Sequence, residues 1–195
     1  MSTAPESNLS KAEIERAARV RSARLKKIKR IFIWVLVLAV IAGAVWGLVI
    51  WSKKAEANKP GAEITPMTSR DHIPETAPKP DYSSNPPTSG PHWATPANWG
   101  VYDKELADQQ LVHNLEHGGI WISYKDAADT ALVDQLKSIA NEYSLKVIMT
   151  PRAADPDRID VAAWGRLLRL DQFDGKQIRD FIGAFINRGP EQVPY

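Results

Sequence analysis

His113-Asn114-Leu115-Glu116-His117 puts two imidazoles and a carboxylate within five residues of a chain that holds only four histidines. On a helix, positions i and i+4 share a face with Cβ atoms roughly 5–6 Å apart. One helix offers two imidazoles to one metal ion with this spacing. The order H-N-L-E-H places the acid before the second histidine, so the protease arrangement H-E-x-x-H, with its glutamate base, is not indicated. A structural role competes, because histidines in a last helical turn cap free carbonyls and suit the macrodipole.

A third histidine, His92, ends the run Pro86-Pro87-Thr88-Ser89-Gly90-Pro91-His92-Trp93. Its prolines fix φ near about −65° and its glycine permits a turn, so the loop is rigid before anything binds. Such a loop suits ligand positioning. It equally suits a surface loop in which Trp93 plugs the core edge and His92 makes one hydrogen bond.

With no cysteine in the chain, thiolate metal sites and thiol–disulfide chemistry are excluded. Any ion must be held by His, Met, Asp, Glu or backbone oxygen. His92, His113 and His117 are the ligand candidates, with Glu116 or Met149 as a fourth or supporting ligand. Met149 ends an apolar run just before Pro151; most such methionines fill core, but His plus Met outside the cytoplasm suits copper better than zinc. Ser89 could be read as a nucleophile with His92 or His117 as base and Glu116 orienting it. The segment lacks the G-x-S-x-G elbow, which ranks a hydrolase third. His72 lies in a proline-rich stretch and is expected to be solvated.

The elements that must position these residues read as one small domain over 86–195. Tyr102–Glu116 reads as a helix with Asp103 as N-cap, stopped by Gly118-Gly119. Ile120–Tyr124 alternates as a strand. Ala127–Tyr143 is an amphipathic helix, and Leu145–Thr150 is a strand. Asp155–Arg158 is a polar turn. Ile159–Leu168 reads as one strand with Trp164-Gly165 as a bulge. Ile178–Asn187 is the last helix, ended by Gly189-Pro190. The class is α+β, a short sheet packed against helices. Residues 52–85, rich in proline and polar residues without periodicity, read as a semi-extended tether.

Upstream, residues 31–51 (IFIWVLVLAVIAGAVWGLVIW) run without a charge and at ~1.5 Å per residue span about 30 Å, enough for one transmembrane helix. Trp34, Trp46 and Trp51 suit interfacial belts. Residues 1–30 carry nine Lys/Arg against three acids, net +6, and the chain's +2 then leaves −4 for residues 52–195. The positive-inside rule places residues 1–30 in the cytoplasm and the domain outside. A cleavable signal peptide ending at Ala55-Glu56-Ala57 is the competing reading. Against it, the apolar run is longer than the roughly 7–15 residues of a signal h-region. The basic segment, with helical spacing over Ala12–Ile28, reads either as an amphipathic helix on the inner leaflet or as a disordered topogenic tail, and it suits anionic lipid and not nucleic acid.

PPTSGPH and VHNLEHGG, followed by IWISY, VIMTPR and AAWGRLLRLD in that order, resemble the bacterial domain-of-unknown-function family 3105 over roughly Ser84–Asn187. The resemblance implies a single N-terminal membrane anchor and an exported domain. It marks Gly90, Pro91, His92, His113, Asn114, Leu115, Glu116, His117 and Gly118 as motif positions but implies no catalytic assignment. The leading expectation is therefore a single-pass bacterial membrane protein whose extracytoplasmic domain binds one copper ion, with zinc second, in handling or sensing more than turnover. The runner-up is a structural or partner-binding envelope module in which the histidine motifs lock loop to helix.

Overall fold

The computed structural model describes residues 11–57 and 59–191. The chain divides into two units, residues 1–58 and 59–195. The first is a single helix, α1 (Lys11–Ala57). It contains no proline, and its middle is built from Leu, Ile, Val and Ala. Its apolar side chains between residues 31 and 51 are exposed, and it is long and apolar enough to cross a membrane. The basic stretch and the apolar stretch are one continuous helix.

The second unit is an α+β domain built on a mixed six-stranded sheet. Its elements are β1 (Ala62–Glu63), β2 (His72–Ile73), β3 (His92–Trp93), β4 (Gly100–Val101), α2 (Asp108–Glu116), β5 (Ile120–Tyr124), α3 (Thr130–Ala140), β6 (Val147–Pro151), β7 (Ile159–Ala163), β8 (Arg166–Leu170) and α4 (Gly175–Phe185). Strand order is β1-β8-β7-β5-β6-β4, and β2-β3 form a separate parallel pair. β5 and β6 are parallel, joined by α3, whereas β7 runs antiparallel to both β5 and β8. Asp129 caps α3 by accepting from the Leu132 N–H, and Asp174 caps α4 through the Lys176 and Gln177 N–H groups.

Strand alternation sends side chains to two different layers. Ile120, Ile122, Val147, Met149 and Val161 pack with Leu132, Leu136, Ile178, Phe181 and Ile182 of α3 and α4. Trp121, Ile148, Ala162 and Leu167 pack on Leu111 and Leu115 of α2. α2 thus lies on one face of the sheet, and α3 and α4 on the other.

Three expectations change. The helix begins at Asp108, with Ala107 and not Asp103 at the N-cap. Tyr102 is held back because its N–H donates to Met149 O, extending the β4–β6 pairing. Ile159–Leu168 is a hairpin, not one bulged strand: Trp164-Gly165 is its two-residue turn, with Gly165 at φ 66°. Residues 59–85 are no tether. β1 pairs with β8, β2 with β3, Ile64 packs on the α2-side core, and residues 52–57 continue α1. Edge pairing with distant strands needs no hydrophobic period, so composition alone misread this segment.

Candidate metal centre

The PPTSGPH loop is buried along residues 86–90. Gly90 sits at φ +124°, where an added Cβ would lie 2.7 Å from Met67 Sδ and 3.0 Å from the Tyr82 ring. No other residue fits there. Ser89 Oγ accepts from the Met67 N–H at 2.9 Å, and Tyr82 OH donates to Pro91 O at 2.8 Å. These contacts fix β3, which carries His92. Ser89, 1% exposed and bonded to backbone, is a fold residue, and the serine-nucleophile reading loses its nucleophile.

α2 is held at both ends. Arg152 Nε and Nη2 each donate at 2.9 Å to one Asp108 oxygen, and Arg152 Nη1 donates to Asp155 Oδ1 at 2.7 Å. Burial would raise the Asp108 pKa, but Arg152 and Lys79 win and hold it below the usual carboxylate range. At the other end Lys146 Nζ donates to His117 O at 2.8 Å, capping the helix where its dipole favours a cation. Asn114 makes a two-way bond with Ala97, donating to its carbonyl and accepting from its N–H, both at 2.9 Å. Gly118 at φ +76° ends the helix, and its Cβ would meet Asn187 Cα at 2.8 Å.

Between loop and helix all four histidines of the chain converge. Ring centroids lie 5.0 Å apart for His72–His92 and His92–His113, 5.1 Å for the stacked His72–His113 pair, and 4.4 Å for His113–His117. The Nδ1 of His92 faces Gly90 O at 2.8 Å and that of His113 faces Trp93 O at 2.6 Å. A ring nitrogen facing a carbonyl carries the proton, so in the neutral rings both Nε2 atoms present lone pairs inward. Backbone carbonyls orient metal-binding imidazoles in the same way. His113 Nε2 is 3.0 Å from His117 Nε2. His92 Nε2, fully buried, approaches Glu116 Oε2 to 3.0 Å without the alignment of a hydrogen bond, so a lone pair confronts a carboxylate. Burial, reinforced by the surrounding imidazoles against the Trp93 bond, depresses the His113 pKa.

One donor atom each from His72, His92 and His113 lie within 4.8 Å of one another, as do those from Glu116, His117 and Glu191. A cavity of about 600 Å³ reaches this cluster, lined by residues 68–72, Glu116, Pro190 and Glu191. His92, His113, Glu116 and His117 are therefore brought together as the sequence suggested. Met149 is not: it is fully buried in the core against α3 and α4, on the opposite face of the sheet. His72 is the residue missed. Its one signal was scarcity, a single remaining histidine in a chain whose other three gather in one place.

A family model described as "Protein of unknown function (DUF3105)" matches residues 74–194. The chain belongs to this family. The match spans β3, α2 and Glu191 but begins just after His72. No curated protein and no solved structure matches the chain.

Proposed function

We propose that this is a single-pass membrane protein of the bacterial envelope whose domain outside the membrane binds a transition-metal ion through His72, His92 and His113, flanked by His117 and Glu116. The observation that carries the reading is the pair of inward Nε2 lone pairs, above all the buried, unpartnered one of His92 beside a carboxylate. Only a cation, proton or metal, reconciles that pair of atoms. One donor atom from each of His72, His92 and His113 lies within 4.8 Å of the other two, so the three can close on one ion at bonds of about 2.0–2.1 Å after a small adjustment. With Met149 elsewhere, the donors gathered here are imidazoles and carboxylates, and none of them selects Cu(I). An imidazole and carboxylate set ranks Cu(II) above Zn(II) in the Irving–Williams order, so copper stays preferred.

The role is metal handling or sensing. The charge asymmetry about α1 directs the domain outward, with residues 11–30 against anionic inner-leaflet lipid. Protease added to intact spheroplasts should remove the domain; protection would overturn the orientation. The decisive measurement is thermal melting of the chelator-stripped full chain in detergent, made without a histidine tag, with and without Cu(II) and Zn(II). Saturating ion should raise wild-type stability by about 2.7 kcal/mol at a hundredfold excess over Kd, and His113→Ala should abolish most of that rise. If no ion moves the wild-type melt while His113→Ala unfolds earlier regardless, the histidines merely lock loop to helix and the structural module is the correct reading.

A further inference from the structure

The donors outnumber the needs of one ion, and they fall into two triplets. His72, His92 and His113 form a neutral set; Glu116, His117 and Glu191 form a set with two carboxylates. Two contacts of 3.0 Å, His113–His117 and His92–Glu116, join the triplets. Glu116 lies between them, with Oε2 toward His92 and Oε1 3.5 Å from Arg70 Nη1. A carboxylate so placed can bridge two cations. Paired ions in two-metal sites sit about 3.5–4 Å apart, a separation that adjoining triplets can supply.

The position of Glu191 is built in, although its side chain is half exposed. The segment after α4 is bonded onto the end of α2: Asn187 N–H donates to Gly118 O at 2.8 Å, and Glu191 N–H donates to Glu116 O at 3.1 Å. Between them Gly189 approaches so closely that a Cβ would lie 2.0 Å from Glu116 O. α4 already ends at Phe185 with Ile186 as its C-cap, so Gly189-Pro190 is not the helix stop the sequence suggests; the pair instead delivers Glu191 Oε2 to 3.4 Å from His117 Nε2. The two triplets also open on one cavity, through His72 on one side and Glu116 and Glu191 on the other.

We propose that the centre holds two metal ions, the second bound by Glu116, His117 and Glu191 with Glu116 as the bridge. This rests on the metal-binding reading above. The charge distribution supports it. Two carboxylates offset a second divalent ion, which a purely imidazole site would hold only against strong repulsion from the first.

The test is metal stoichiometry of the full chain in detergent, stripped and reloaded with Zn(II) or Cu(II) and then freed of excess. Wild type should retain two equivalents, Glu191→Gln one, and His72→Ala should weaken one equivalent while the other remains. Glu191→Gln alters a half-exposed side chain and leaves the backbone bonds to α2 in place, so the variant folds. In the Cu(II) form, spin coupling between adjacent ions should reduce the electron paramagnetic resonance intensity of wild type, and Glu191→Gln should restore the signal of one isolated ion. One equivalent in wild type, unchanged by Glu191→Gln, overturns the second position and leaves the first intact. Two equivalents that Glu191→Gln does not reduce overturn its ligand assignment. No bound ion at all overturns the metal reading itself.

Discussion

Ile148 and Met149 are consecutive in β6, yet they belong to layers built on different principles. Met149 faces α3 and α4, where the contacts are almost wholly apolar and arranged by helical and strand periods. Ile148 faces α2, where the apolar cluster is smaller and buried polar groups crowd around it. On that side lie Asp108, Arg152 and Asp155, the bonded pair Asn114 and Ala97, and the histidine cluster. The α3/α4 face holds the domain together by removing apolar surface from water. The α2 face spends burial on polar groups that position a site, which is costly unless each finds a partner. Mutations on the two faces should therefore act differently, on stability at one and on the site at the other.

The largest expected effect is on the apolar face. Phe181 is fully buried in the α4 contact, and Phe181→Ala should cost about 3–5 kcal/mol in urea unfolding through lost transfer energy and a cavity. Metal content per folded molecule should stay the same. A loss of metal in the folded fraction would mean that the two faces are coupled and the division is wrong.

An intermediate effect should come from the polar side of the sheet and depend on pH. Asp160 is fully buried, with Arg169 Nε 3.7 Å from Oδ1. Burial first, then Asp155 and Asp157, push its carboxyl up to about 7. Between the ordinary carboxylate range and about 7 the folded state binds the proton and the unfolded state does not. Stability from this group is therefore complete at acid pH and is lost as pH rises through 7. Asp160→Asn removes that dependence, so it should gain up to about 4 kcal/mol over wild type at pH 8 and nothing near pH 4. Equal effects at both pH values would refute the buried-carboxyl account.

The smallest effect is expected at Met149. Met149→Leu conserves volume in a buried apolar setting and should cost less than about 1.5 kcal/mol, with Cu(II) and Zn(II) binding unchanged. A fall in copper affinity would return Met149 to the site and contradict its place on the far face.

Legibility followed the same division. Ile120–Tyr124 was readable to the residue because strict alternation is local physics, and the last helix was readable from its apolar stripe. His113, Glu116 and His117 were readable because one helix fixes their spacing. Residues 59–85 were not, since their order comes from pairing with distant strands and from single contacts such as those of Ile64 and Tyr82, neither of which leaves a period in the sequence.

Sequence alone was enough to show that one helix is apolar enough for a membrane, that thiol chemistry is absent, and that three of the four histidines fall in the PPTSGPH run and the HNLEH turn. Those follow from composition and from spacing within one element. His72 joins the cluster through the β2–β3 pairing, which no local pattern announces and only folding brings about. Folding alone set Met149 on the opposite face, because a single step along a strand reverses the side chain. And it alone carried Glu191 to His117, because the backbone bonds from residues 187–191 to the end of α2 close a contact across more than seventy residues.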